Sequence, residues 1–249
     1  MLLYVPLPSA ARVDAVEGFT ESQVQTWVTV ASMGLDARAV AVLQQIDGAD
    51  RRLLALRAYL RAGDSLPQRW SWSQQRLSEY ATSTDGKGAS ADIDAVAAVF
   101  AASNPGFALR VNKQPRSLEL QLANWNENAT VAKVATSLVH SLGQQFGAAA
   151  VPPTPEALRR ALTEWTPSVA APLAAPGLSA HGQGSAFDFQ IERDGEIVAG
   201  LDFASARSQW DAAGWTQRLR AAVSASGRPF EGPLQSPYEP WHYTYTPAK

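Results

Sequence analysis

Two of the chain's three histidines stand near its C-terminus, each with an acid close by. His181 opens the run His181-Gly182-Gln183-Gly184-Ser185-Ala186-Phe187-Asp188. His242 closes Glu239-Pro240-Trp241-His242. Two imidazoles and one aspartate form a three-ligand set of the kind that holds a catalytic zinc and leaves a fourth position to water. Glu239 is then left over as a general base.

Spacing limits how these groups can meet. His181 and Asp188 lie seven apart and on one regular strand would face opposite ways. The chain must bend between them, and Gly182 and Gly184 supply the freedom. Asp188 then sits in a strand between Phe187 and Phe189, where a buried carboxylate needs a counter-charge. Pro240 cannot donate to a central ladder, so the last strand is expected to start at Trp241. That puts Glu239 on the turn leading in, His242 on the strand, and Trp241 on the opposite, core-facing side. The competing reading of the first motif makes His181 a solvated loop histidine and Asp188 an ordinary hairpin residue. For the second motif it is a frayed tail with an aromatic anchor, against which the alternation of Tyr243 and Tyr245 with Thr244 and Thr246 argues. His140, in a predicted helix, is read as structural rather than as a fourth ligand.

The elements that must carry these residues follow from periodicity and punctuation. Residues 1–18 read as an extended, proline-bearing arm. Thr20 caps a helix with Val24, Trp27, Val28 and Ala31 on one face, and Gly34 ends it. Further helices are predicted over 36–46, 49–61, 71–83 and 91–102, with residues 84–88 as an exposed turn. Trp70 and Trp72 are read as helix-packing core in preference to a sugar platform. After Asn104-Pro105-Gly106 the pattern becomes mixed: a strand over 107–111, helices over 118–125 and 129–146, and a helix capped by Thr154 with Pro155 in its first turn. Strands over 186–191 and 196–201 flank Arg193-Asp194-Gly195, a hairpin signal. A helix over 212–224 and a strand over 241–246 follow. The expected class is α+β with an antiparallel sheet. The division is residues 1–103, a helical N-terminal region, and 104–249, a catalytic domain with a helical insertion at about 125–170.

Composition excludes several alternatives. The chain has 249 residues, is 46% hydrophobic and carries a net charge of -2. No basic excess is present to neutralise phosphates, so nucleic acid is not an expected partner. Without cysteine there is no disulfide framework, thiolate metal site or cysteine nucleophile. No apolar run is long enough for a membrane span, and the N-terminus does not read as a signal peptide.

With these residues in view, Ser179-x-His181-x-x-Gly184-x-Ala186-x-Asp188 followed by Glu239-x-Trp241-His242 resembles the zinc D-alanyl-D-alanine carboxypeptidase family. That family shares its fold with lysostaphin-type peptidases and the hedgehog signalling domain. The resemblance spans roughly residues 104–249. It implies a hedgehog/DD-peptidase-like catalytic domain, Zn2+ held by His181, Asp188 and His242, and Glu239 as catalytic base. Arg116-Ser117-Leu118-Glu119-Leu120-Gln121 fits the family's arginine segment. Arg116 is thereby implied in oxyanion stabilisation, and Ser179 and Gln121 in substrate binding. The alternative for Arg116 is a surface ion pair with Glu119. The chain departs from the family in the long connection, with two predicted helices, between the arginine segment and the first zinc motif.

The implied substrate is a peptidoglycan stem peptide, cleaved as a D,D-carboxypeptidase or an endopeptidase, in the periplasm or after secretion. Two alternatives stand beside it: a metal-containing binding module without turnover, and the same activity used by an antibacterial or lytic effector.

Overall fold

The computed structural model describes residues 19–147 and 153–247. The arm predicted over 1–18 lies outside them. The first half is helical: α1 (Glu21–Ala31), α2 (Ala37–Leu43), α3 (Ala49–Ala62), the single turn α4 (Leu66–Arg69), α5 (Gln74–Thr82) and α6 (Thr84–Ser103). Then come β1 (Ala108–Val111), α7 (Leu118–Glu127), α8 (Ala129–Phe146) and α9 (Pro155–Glu164). The remainder is β2 (Ala186–Arg193), β3 (Glu196–Ala199), α10 (Trp215–Ser226), β4 (Phe230–Glu231), β5 (Leu234–Gln235), β6 (Tyr238–Glu239) and β7 (His242–Tyr245).

The helix starts are chemically marked. Thr20 closes a capping box with Gln23 at the head of α1. Asp36, Ser73, Ser117, Asn128 and Thr154 each accept a backbone N–H at the start of α2, α5, α7, α8 and α9. One expectation fails here. Residues 84–88 are not an exposed turn but the start of α6. Ser83 ends α5 with its N–H on Glu79 and Tyr80, and its Oγ accepts from Gly86 N to begin α6. Gly86 is required there, because a Cβ would stand 2.0 Å from the Tyr80 carbonyl oxygen. The helix expected from Ala212 is also corrected. Residues Ala206–Asp211 form a π-helical turn, and α10 starts only after Gly214, whose φ is +75°.

The sheet is antiparallel and five-stranded, in the order β1-β2-β7-β4, with β3 also paired to β2. The β2–β3 hairpin turns on Asp194 and Gly195, both at positive φ (52° and 85°), as an Asp-Gly turn of matching twist requires. β5 and β6 form a separate two-stranded ribbon just ahead of β7.

Burial falls into two clusters. One unites α1–α3 with α7–α9, together with Trp70, Ala175 and Leu178. The other unites α6, α10 and Trp210 with Phe187, Phe189 and Ile191 of β2 and Tyr243 and Tyr245 of β7. Helices from either side of Asn104 thus contribute to both clusters. The period-2 alternation of β2 and β7 commits one sheet face to the second cluster. Asp188 and His242 are on the other face.

Candidate metal centre

His181 lies in a 3-10 turn, Ala180–Gln183, that enters β2. Two glycines make the turn, for different reasons. Gly184 is left-handed (φ 62°, ψ 20°), a conformation that is easy only without a Cβ. Gly182 has no such φ. It is buried against other elements, where a Cβ would stand 2.1 Å from Ser71 Oγ and 2.7 Å from Gln121 Nε2.

Asp188 and His242 are register partners on β2 and β7. Phe189 N donates to Trp241 O at 3.0 Å and Tyr245 N to Ser185 O at 2.9 Å, so the bonded pairs are 189/241 and 185/245. The 188/242 pair is therefore of the non-hydrogen-bonded kind, whose Cα atoms stand about 4.5 Å apart and whose side chains are closest. Trp241, as its position implies, faces the core and packs on Trp210.

Three ligand-type atoms converge. His181 Nε2 is 3.2 Å from His242 Nδ1, His242 Nδ1 is 3.1 Å from Asp188 Oδ1, and His181 Nε2 is 3.4 Å from Asp188 Oδ2. Ligand atoms arranged tetrahedrally about 2.0–2.2 Å from a zinc ion stand roughly 3.3–3.6 Å from one another. The spacing fits an ion, and so does the chemistry of two imidazoles and a carboxylate. Among the described residues, His181, Asp188 and His242 are the group able to hold a metal ion, and Glu239 is not part of it. The acid instead stands at the end of β6, its Oε2 3.5 Å from His242 Nδ1. Arg116 Nη2 is 3.5 Å from Asp188 Oδ2. It forms no ion pair with Glu119 among the described residues.

The electrostatics favour cation binding. Burial pushes the His181 imidazole down to about 4 despite the opposing charge of Asp188, which keeps it neutral and able to ligate. Burial also pushes on the Asp188 carboxyl, upward. The hydrogen bond from His242 and the favourable electrostatics of its neighbours, the Arg116 guanidinium among them, outweigh it, leaving Asp188 below the usual carboxylate value. Glu239 shifts the other way: burial raises it, and so does the charge of Asp188, against the lowering influence of His242 and Arg116. Two neighbouring carboxylates are thus driven apart, one fixed as an anion and the other moved toward the range of a working base. The side chains of His181, Asp188, His242 and Glu239 are 12–15% exposed, shielded yet reachable.

Arg116 arrives from the loop between β1 and α7, and its backbone is tied to the metal loop: Arg116 N donates to His181 O at 2.8 Å. Gln121 and Ser179 were expected to meet substrate. Gln121 is buried, with Nε2 donating to Arg116 O (2.9 Å) and Ser71 Oγ (3.0 Å) and Oε1 accepting from Gly177 N (2.9 Å). Ser179 is buried as well, and its carbonyl accepts from Gly182 N at the start of the histidine turn. Both therefore position the site. His140 is exposed on α8 beside Gln144, away from the group.

Two supporting sets escaped sequence reasoning. Ser71 N donates to Gly177 O and Trp72 N to Gly182 O, so the segment between α4 and α5 buttresses the histidine turn. Its only sequence signal was the pair Trp70 and Trp72, read as packing. The second set anchors Tyr238, the residue before Glu239: Tyr238 Oη (2.6 Å) and Thr216 Oγ1 (2.7 Å) both donate to Asp211 Oδ1.

No family model, curated protein or solved structure matches the chain. No helix among the described residues is long and apolar enough to cross a membrane.

Proposed function

We propose that the chain is a zinc-dependent peptidase acting on peptidoglycan stem peptides, as a D,D-carboxypeptidase or endopeptidase of the hedgehog/DD-peptidase-like type. One observation carries the reading. Two histidines and an aspartate converge with metal-ligand spacing, while a glutamate of raised pKa and an arginine stand beside them without joining the ligand set. A site meant only to hold an ion closes its coordination with protein, whereas a catalytic one keeps a position open. Glu239 standing outside the convergent group favours catalysis over a metal-containing binding module.

When bound, a zinc ion supplies Lewis acidity that polarises the scissile carbonyl and acidifies water. Glu239 takes the proton of the attacking water at its carboxylate and delivers it to the leaving amine, so the carboxylate is regenerated each turnover. Arg116 places its guanidinium beside Asp188 and meets the negative charge that develops on the scissile carbonyl oxygen. Gln121 and Ser179 hold the loops that carry Arg116 and His181. A peptidoglycan substrate places the enzyme in the periplasm or outside the cell.

The test is Glu239→Gln on the metal-loaded protein with purified muropeptides. Bound zinc is expected to stay at wild-type stoichiometry while product formation falls at least about a hundredfold. A wild-type protein that binds zinc and releases no product from muropeptides defeats the reading in favour of the binding module.

A further inference from the structure

We propose that the cavity between α2, α5 and the first turn of α7 is a subsite for a carboxylate-bearing part of the peptide substrate, with Arg76 as its receptor. This rests on the peptidase reading and names what the helical half contributes to it.

The cavity holds about 710 Å³, within the roughly 300–1,000 Å³ typical of small-ligand sites. It begins next to the metal centre in sequence and in space. Gln183, on its wall, is two residues past His181, and Leu118 is two residues past Arg116. Two residues reach at most about 7 Å, and the Arg116 N to His181 O bond holds the two segments together. Gln183 is fixed there by donating from Nε2 to both Gln68 O and Trp70 O, at 2.8 Å each. In the proposed pose, a peptide with its scissile bond at the metal continues along these shared segments into the cavity.

The lining selects for negative charge. It contains two guanidiniums, Arg38 and Arg76, against the single acid Glu119. Arg38 is already engaged, its Nε and Nη2 donating to the two Asp36 oxygens at 3.1 and 2.8 Å. Arg76 is only loosely held: its Nη1 pairs with Glu79 Oε2, one helical turn on, at 3.9 Å, an exposed ion pair beyond hydrogen-bond distance. Its guanidinium lies over the Trp72 ring, 5.2 Å from the centroid, which restrains the plane of the fork. An oriented planar fork with open donors matches a carboxylate in bidentate geometry. Val42 and Pro67 supply an apolar strip for the aliphatic atoms beside it.

The experiment compares a synthetic peptidoglycan pentapeptide ending in D-Ala-D-Ala and bearing a free glutamate α-carboxylate with the same peptide amidated at that position. Wild-type kcat/KM is expected to favour the free acid about tenfold, the size of one charge-assisted hydrogen-bond contact. Arg76→Gln is expected to bring that ratio to about one, and Arg76→Lys to restore part of it. A ratio that survives Arg76→Gln overturns the proposal while leaving the peptidase reading intact. If wild type cleaves neither peptide, calorimetry on zinc-loaded Glu239→Gln and Glu239→Gln/Arg76→Gln proteins decides the subsite by itself. Tighter binding of the acid that disappears in the double variant supports it. Equal binding of both peptides overturns it.

Discussion

Asp188 and His242 are a directly opposed, non-hydrogen-bonded pair across β2 and β7, with His242 Nδ1 3.1 Å from Asp188 Oδ1. The sheet register alone places two of the three candidate ligands within reach of one ion. The third, His181, comes from a turn whose shape depends on other parts of the fold. This division determines how substitutions should act.

Asp188→Asn keeps the shape of the pair and removes the anionic oxygen. Zinc content after dialysis, measured by plasma mass spectrometry, is expected to fall at least about tenfold, with the fold retained by circular dichroism. Full zinc occupancy in the variant would show that Asp188 is not a ligand.

Gly182→Ala strikes the third ligand indirectly. Its Cβ would overlap Ser71 Oγ and the Gln121 amide, neither of which can leave without losing its own partners. The expected destabilisation is about 1–3 kcal/mol, with zinc affinity lowered because the His181 turn shifts. Urea denaturation and a zinc titration would read the two effects. A variant as stable as wild type would mean that the close approach does not exist.

Tyr238→Phe removes one of the two hydrogen bonds that Asp211 receives. It loosens the ribbon that ends in Glu239 and touches no ligand. The expected outcome is a kcat lower by about tenfold, with KM and zinc content near wild type. A change in KM alone, or no change in kcat, would remove Tyr238 from the positioning of the base.

The metal-free protein is expected to lose stability in acid through His181. Its folded pKa of about 4 lies below the ordinary value of 6.5. Between those values the unfolded chain binds the proton that the folded chain does not. Stability conferred by the neutral imidazole is therefore complete above about pH 6.5 and drains away as pH falls toward 4, by up to about 3 kcal/mol. Urea midpoints of chelator-treated protein from pH 7 to 4, beside those of His181→Gln, would show the slope and its loss. Identical slopes in the two proteins would place His181 in solvent.

The local chemistry was legible in the sequence because it is local. Thr20 and Thr154 cap the helices they were expected to cap, and Asp-Gly turns the β2–β3 hairpin, since each effect needs only a few consecutive residues. The alternation around Trp241 and His242 also told which side chain would face the core. Residues 84–88 misled because Gly86 and Gly88 suggest a turn, whereas Gly86 is there for the approach of the Tyr80 carbonyl, a contact that no spacing rule contains.

The sequence by itself determined which side chains have ligand chemistry and that a glycine-bent segment must separate His181 from Asp188. Only the tertiary structure decided that these atoms come within 3.1–3.4 Å of one another, and that Glu239 stands beside the group rather than in it. Those outcomes depend on strand register, on Gln121 and Ser71 packing under Gly182, and on Arg116 bonding to His181 across a gap of 65 positions (181 less 116) in the chain. Such contacts join residues whose separation carries no periodic signal, so they exist only once the two buried clusters have formed.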